Sequence, residues 1–245
     1  MFSLIAIFKN WHRIVLFPKK FNSTQRTLIS SNSQFYSNLT LTNKKYFEHR
    51  VLSFIESYEF VSRERVKITE EIKLLIAASA IKLTFGYRHY IFSSIDTIIV
   101  YPKDYFSPFG NQQHKGETNL RYKVIVFSLQ DFKEGIKIVD DNLNLGLHEF
   151  THAMHYSFMS SGNSSASYFK KHYSNLLEFM KDKSEQKKLV NAGYLREYAF
   201  ENQFEFLAVL VEHFFETPDK FEQKLPELFF KIKKLLNYSK ADFFS

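Results

Sequence analysis

The sequence predicts an α+β fold that is mainly helical and contains a small β-sheet. Several long stretches repeat apolar residues at helical spacing, whereas two short runs, residues 95–101 and 122–129, have the composition of strands. The 245 residues are 44% hydrophobic and 18% aromatic, which is enough to bury a sizeable core. We expect residues 44–245 to form one domain and residues 1–43 to form a basic N-terminal arm and linker.

The positive charge of the chain is concentrated at its N-terminal end. Residues 1–50 contain eight Lys or Arg and one acid, so they carry the whole net charge of +7 and the remaining residues are neutral. A nucleic-acid enzyme would carry its basic patch on the folded domain, so we expect no direct binding of nucleic acid. The absence of cysteine excludes disulfides and thiolate metal sites and is compatible with a cytoplasmic location, which we predict.

The first seventeen residues alternate apolar runs with Lys9, His12 and Arg13. Neither apolar run approaches the roughly 20 residues that cross a bilayer. Such a segment could contact an anionic membrane surface through residues 1–20 or act as a cleaved leader, but an ordinary chain terminus is the favoured interpretation. Residues 21–42 are rich in Ser, Asn and Thr, which is typical of a linker.

Two core helices are predicted next. The first follows Thr42 as its cap and places Phe47 and Val51 at helical spacing. The second begins after Thr69, has acids in its first turn and ends near Gly86, a residue type that stops helices.

Residues 145–155 contain the pattern His148-Glu149-x-x-His152 within an apolar stretch. Two histidines four residues apart lie on nearly one face of a helix, so both imidazoles can reach a single metal ion. Glu149 lies about 100° around the helix from His148, so it is a poor third ligand but well placed to take a proton from a metal-held water. Burying these polar groups among apolar residues would be costly without a partner, which strengthens the interpretation.

Two loops and one recognition element are expected around this helix. Residues 107–120 are expected to form a polar loop between the strands, and residues 160–167 a flexible loop, for which a plain surface loop is favoured over a lid. A strand near the helix could bind an extended peptide at the sheet edge, although the sequence does not identify that strand. Residues 168–190 are predicted to be helical.

A second strongly apolar helix is predicted from Tyr198 to about Phe215. Its Glu205 has two interpretations, between which the spacing does not decide. Asn202-x-x-Glu205 matches a capping box, in which the carboxylate binds the start of its own helix. Alternatively, Glu205 is the third ligand of a zinc site with two histidines and an open position for water.

These elements, in this order, resemble the MtfA (Mlc titration factor A) family of zinc metallopeptidases. The resemblance rests on His148-Glu149-Phe150-Thr151-His152, on Tyr198 and Glu205 seven residues apart, on Phe206-Leu207-Ala208-Val209, and on upstream blocks at residues 76–80, 99–102 and 126–129. It extends from about residue 35 to residue 238. The Tyr-x6-Glu element is also similar to the peptidase domain of anthrax lethal factor.

The resemblance implies a zincin-like fold and a gluzincin-like peptidase, with HExxH plus Glu, that holds one zinc ion per chain. His148, His152 and Glu205 would bind the metal, Glu149 would be the general base, and Tyr198 would donate a hydrogen bond to the developing oxyanion. The predicted function is hydrolysis of peptide bonds in a peptide or protein substrate through zinc-bound water. The alternative that the family implies is a regulatory module that sequesters a transcriptional repressor, with weak or no peptidase activity.

One position departs from the family pattern. His155 stands three residues after the second histidine, where the family usually has Asp, so the orientation of a neighbouring ligand could differ. Metal binding by His155 itself is disfavoured because it lies about 10 Å along the helix from His148. Glu212, on the same helical face as Glu205, is expected either to support the site or to be exposed. Residues 221–236 are predicted to form an amphipathic terminal helix.

Overall fold

Helices pack against one face of a small mixed sheet in this computed structural model, which describes residues 15, 17–107 and 112–244. The strands are β1 Glu59–Ser62, β2 Thr97–Tyr101, β3 Tyr105–Phe106, β4 Gln113–His114, β5 Gly116–Asn119 and β6 Val124–Ser128. Strands β1, β2 and β6 are parallel and β5 is antiparallel to β6, which gives the order β1–β2–β6–β5. Strands β3 and β4 form a separate hairpin. The predicted α+β class is confirmed.

The central strand β6 shows how the sheet divides the core. Ile125 and Phe127 lie in the large core formed with the helices, whereas Val126 belongs to a smaller cluster with Tyr105 of β3. Because neighbouring side chains of a strand point to opposite faces, the helices lie on one face and the β3–β4 hairpin packs on the other. Strand β5 lies at an edge of this sheet.

The N-terminal helices are α1 Ser23–Asn32, α2 Gln34–Asn38, α3 Leu41–Ser57 and α4 Glu70–Thr84. Thr69 caps α4 as predicted, because its side chain accepts a hydrogen bond from the backbone of Ile72. The predicted cap of α3 is wrong by two residues, since Thr40 and not Thr42 accepts the backbone N–H of Asn43.

The segment expected to be a linker is largely helical. Ile29 and Tyr36 are buried in the main core, and the side chains of Asn22 and Ser33 cap α1 and α2. The Ser- and Asn-rich composition therefore supplies helix caps here rather than an extended chain. The division of the chain at residue 43 stays a prediction, and the segment considered for membrane contact lies mostly outside the described residues.

The remaining helices carry the site and close the core. They are α5 Leu129–Lys137, α6 Leu145–Ser160, α7 Ser164–Lys181, α8 Lys183–Ala192, α9 Gln203–Glu216, α10 Pro218–Lys224, α11 Pro226–Leu235 and α12 Lys240–Phe243, with a 3-10 turn at Glu197–Phe200. None of the helices in the described part of the chain is long and apolar enough to cross a membrane.

Several further boundaries differ from those that the sequence suggested. The helix predicted from Tyr198 starts at Gln203, and the single helix predicted for residues 221–236 is divided between α10 and α11. The expected loop of residues 107–120 contains β4 and β5, and the expected loop of residues 160–167 is reduced to three residues because α7 already starts at Ser164. The helix predicted for residues 168–190 is two helices, broken where Asp182 ends α7 and caps α8. In each case long-range packing or a local cap overrides the composition of the segment.

Candidate metal centre

Helix α6 presents both histidines of the sequence pattern on one face. The side chain of Asn144 caps the helix by accepting the backbone N–H of Leu147 at 3.0 Å. The opposite face is anchored in the core, where Phe150 is fully buried. The ring centroids of His148 and His152 are 4.9 Å apart, as expected for residues four apart on a helix.

The carboxylate of Glu205 on α9 meets these two imidazoles. Nε2 of His148 lies 2.9 Å from Oε2 of Glu205, and Nε2 of His152 lies 3.5 Å from Oε1. One potential ligand atom from each of the three residues lies within 4.8 Å of the others, so the group could hold a metal ion. Two imidazole nitrogens and one carboxylate oxygen form a donor set that suits zinc and leaves a fourth position open.

The structure shows which groups Glu205 and Asn202 contact at the start of α9. Asn202 does cap α9, since its side-chain oxygen accepts the backbone N–H groups of Phe204 at 2.9 Å and Glu205 at 3.1 Å. The carboxylate of Glu205, however, contacts the histidines of α6 instead of bonding back to the start of its own helix. Asn202 therefore caps the helix, and the carboxylate of Glu205 is left to contact the two histidines.

Hydrogen bonds and charge shift the pKa values of two candidate ligands, His148 and Glu205. Burial by itself lowers the pKa of His148, but hydrogen bonds with Glu205 and Glu212 outweigh burial and raise that pKa to about 10. Burial tends to raise the pKa of Glu205, but hydrogen bonds with both imidazoles and their charge bring it well below its usual range. A cation that binds here competes with the proton that His148 holds.

The side chain of Glu149 contacts the sheet. Its Oε2 accepts a hydrogen bond from the hydroxyl of Thr118 on β5 at 2.9 Å. Gly116, two residues earlier on β5, lies so close that an added Cβ would stand 2.8 Å from Oε1 of Glu149. The edge strands of this sheet are β1 and β5, and β5 is the one that passes directly beside the predicted base.

Tyr198 lies beside the cluster on the 3-10 turn that precedes α9. Its ring centroid is 5.8 Å from that of His148, and 41% of the residue is exposed. Partial burial and the negative charge of Glu205 raise the pKa of its phenol. The phenol therefore keeps its proton at neutral pH and can act as a hydrogen-bond donor.

His155 belongs to the aromatic core and not to the ligand group. Its ring packs 4.7 Å from Tyr173 and 5.1 Å from Phe204, measured between ring centroids. Neither ring nitrogen has a hydrogen-bond partner among the described residues, and burial lowers the pKa of the imidazole to about 4. A histidine here thus fills an apolar position and contacts no candidate ligand through a hydrogen bond.

Of the residues that surround the candidate ligands, Glu212 was considered from the sequence, whereas Thr118, Gly116 and Arg196 were not. Glu212 is buried, which removes the alternative of surface exposure, and its Oε2 lies 3.2 Å from Nδ1 of His148. Thr118 and Gly116 were assigned to a loop, and Arg196 had no signal of its own. The feature of the sequence that could have indicated β5 is its place in a short polar segment directly before the strand-like run of residues 122–129.

Known sequences resemble this chain over most of its length. The sequence profile of the family described as glucose-regulated metallo-peptidase M90 matches residues 8–236. An uncharacterized protein of Synechocystis sp., slr2042, is 21% identical over an alignment 257 positions long, which covers 92% of this chain and 87% of that protein.

Proposed function

The chain belongs to the glucose-regulated metallo-peptidase M90 family, and we propose that it hydrolyses peptide bonds with zinc held by His148, His152 and Glu205. The predicted resemblance to the MtfA family is thereby confirmed. Membership makes the protein a metallopeptidase, whose substrate is a peptide or a protein. The observation that carries the finer proposal is the convergence of the three ligand atoms within 4.8 Å of one another.

The donor set defines what chemistry a bound ion would supply. Zinc at this position would act as a Lewis acid that polarises the scissile carbonyl and lowers the pKa of a water molecule. Glu149 accepts the proton of the attacking water and passes it to the leaving amine. Its Oε2 is occupied by the hydroxyl of Thr118, which fixes the orientation of the carboxylate and leaves Oε1 for the proton.

Tyr198 stabilises charge that develops during the reaction. As a neutral phenol beside His148, it donates a hydrogen bond to the substrate oxygen as that oxygen becomes negative. This bond strengthens only in the transition state, so it acts on turnover more than on substrate binding.

The position of β5 supports an extended substrate. No strand pairs with the outer side of β5 among the described residues, so the backbone groups on that side are available to a further strand. A peptide that adds to this edge would run past Glu149 and be recognised mainly through its backbone. We therefore propose unfolded or flexible peptides as the substrate class.

Two finer predictions from the sequence accompany this proposal. A role in sequestering a transcriptional repressor follows from the family resemblance and remains the alternative function. A cytoplasmic location remains the expectation from composition.

The test is the zinc content of the purified protein compared with that of Glu205→Gln. We expect about one zinc ion per chain in the native protein. Glu205→Gln should lose most of its zinc, because it lacks the carboxylate among the three proposed zinc ligands. Glu201→Gln is the matched control, since Glu201 is an exposed acid just before the same helix. A native protein that takes up no zinc even when zinc is supplied would contradict the proposal.

A further inference from the structure

Glu212 contacts the candidate ligand His148 from the side opposite to Glu205. While Nε2 of His148 faces Glu205, its Nδ1 lies 3.2 Å from Oε2 of Glu212. Oε1 of Glu212 accepts the backbone N–H of Asn144, the cap of α6, at 2.9 Å. The Glu212 side chain is only 2% exposed, so its charge is almost fully removed from water.

Arg196 supplies the positive charge that Glu212 needs. Nη2 of Arg196 donates to Oε2 of Glu212 at 2.6 Å, and Nη1 donates to the backbone oxygen of Asn142 just before α6. A buried carboxylate without a cationic partner would be costly, and a planar guanidinium can bind two acceptors at once. Among the described residues, the ion pairs of Glu212 are those with Arg196 and His148.

The place of Arg196 in the chain adds a second consequence. Arg196 stands at the start of the 3-10 turn that carries Tyr198, and its backbone oxygen accepts the N–H of Ala199 at 3.0 Å. By binding Glu212 and Asn142 with its side chain, it attaches this turn to α9 and to the segment that leads into α6. The side chain of Arg196 thus connects the segment of Tyr198 to the residue that orients His148.

We propose that Arg196 is a positioning residue that couples the two functional groups on either side of it. Through Glu212 it fixes the ring of His148, with Nδ1–H directed at the carboxylate and Nε2 available to the metal. Through its own backbone it places the phenol of Tyr198 beside the same ring. This inference rests on the proposed function but assigns a role to two residues, Arg196 and Glu212, that are not themselves ligands or catalytic groups.

The test separates the two consequences by measuring zinc affinity and turnover independently. Zinc affinity is measured by competition with a chelator, and kcat and KM are measured on a flexible peptide. We expect Glu212→Gln and Arg196→Gln each to weaken zinc binding about tenfold or more, because metal affinity typically falls by this factor when the partner that orients a ligand is removed. Arg63→Gln, which alters an exposed arginine, is the control and should match the native protein.

A second comparison tests the connection to Tyr198. At saturating zinc, where weaker zinc binding no longer limits activity, Arg196→Gln should still have a lower kcat than the native protein. In a Tyr198→Phe background the same substitution should lower kcat much less, while its effect on zinc affinity is unchanged. Arg196→Lys keeps a charge beside Glu212 but cannot bind both acceptors, so it should recover zinc affinity more fully than kcat.

The outcomes distinguish this inference from the proposed function. A native protein that binds no zinc would refute the proposed function itself. A native protein that binds zinc and cleaves peptide, while folded Arg196→Gln and Glu212→Gln bind zinc as tightly as it does, would overturn only the role of this pair. If the fold-decrease in kcat of the double variant equals the product of the decreases in Arg196→Gln and Tyr198→Phe, the two residues act independently and the proposed coupling is overturned.

Discussion

The hydroxyl of Thr118 donates a hydrogen bond to Oε2 of Glu149 across 2.9 Å, and it also contacts the backbone oxygen of Glu149 at 3.1 Å. These bonds attach the edge strand β5 to the helix that carries both histidines. They hold the predicted base at the edge of the sheet where an extended peptide would lie. The orientation of Glu149 therefore depends on a residue from another element.

Thr118→Val should lower kcat about tenfold, because Glu149 loses the donor that fixes its carboxylate and becomes free to adopt other rotamers. The zinc content should not change. We also expect a loss of about 1 kcal/mol in the free energy of unfolding for the missing hydrogen bond. Thr118→Ser, which keeps the hydroxyl, should retain most of the activity. Equal activity of Thr118→Val and the native protein would show that Glu149 is oriented by other contacts.

Glu149→Gln should abolish turnover while retaining zinc, because an amide cannot take a proton from water and Glu149 is not one of the three candidate ligands. Peptide cleavage and zinc content measured on the same preparation check this. The variant also tests the alternative function, since an inactive protein that still captures a regulatory partner would favour sequestration. Full turnover by Glu149→Gln would refute the assignment of the base.

Gly116→Ala should lower both activity and stability. The added Cβ would lie 2.6 Å from Cδ1 of Leu145 and 2.8 Å from Oε1 of Glu149, so the side chains of Leu145 and Glu149 must shift. Such overpacking typically costs about 1–3 kcal/mol. Gly162→Ala is the matched control, because nothing lies within 4 Å of its added Cβ. Denaturant unfolding and kcat of the two variants check the prediction, which would be wrong if they behaved alike.

His155→Phe should reduce the acid sensitivity of the fold. Burial lowers the pKa of His155 to about 4, so between pH 6.5 and about 4 the unfolded chain binds a proton at this position and the folded chain does not. The native protein should therefore lose about 3 kcal/mol more stability than the variant as the pH falls through this range. Unfolding free energies measured from pH 7 to pH 4 check this, and parallel curves for the two proteins would contradict it.

Glu48→Gln should destabilise the fold without changing the metal site. The buried carboxylate of Glu48 accepts hydrogen bonds from Arg26 at 2.9 and 3.0 Å, from the hydroxyl of Tyr36 at 2.7 Å and from the backbone of Phe21 at 3.1 Å. We expect a loss of about 2 kcal/mol, since Arg26 is half-exposed and solvent screens part of the ion pair.

Thermal or denaturant unfolding of Glu48→Gln checks this value, and the zinc content of the folded variant should equal that of the native protein. Glu56→Gln is the control, because Glu56 is an exposed acid whose ion pair with Lys19 should contribute little. A similar stability for both variants would show that Glu48 does not fasten the N-terminal helices.

The helices and central strands were predictable because their signals are local. Thr69 followed by two acids predicted the start of α4, and the run that contains Val126 predicted a buried strand. The segment of residues 107–120 was misassigned because its polar composition resembles a loop. Strand β5 forms there because it pairs with β6 and packs against α6, and neither contact can be read from its own sequence.

By itself the sequence determined the pair His148 and His152, since a spacing of four on a helix places both rings on one face whatever the surrounding fold. It left Glu205 divided between a cap and a ligand, and only the packing of α9 against α6 brought its carboxylate to the histidines. Packing alone also buried Glu212 and joined it to Arg196. Helical periodicity fixes neighbours within one element, whereas contacts between residues far apart in the chain depend on how whole elements pack.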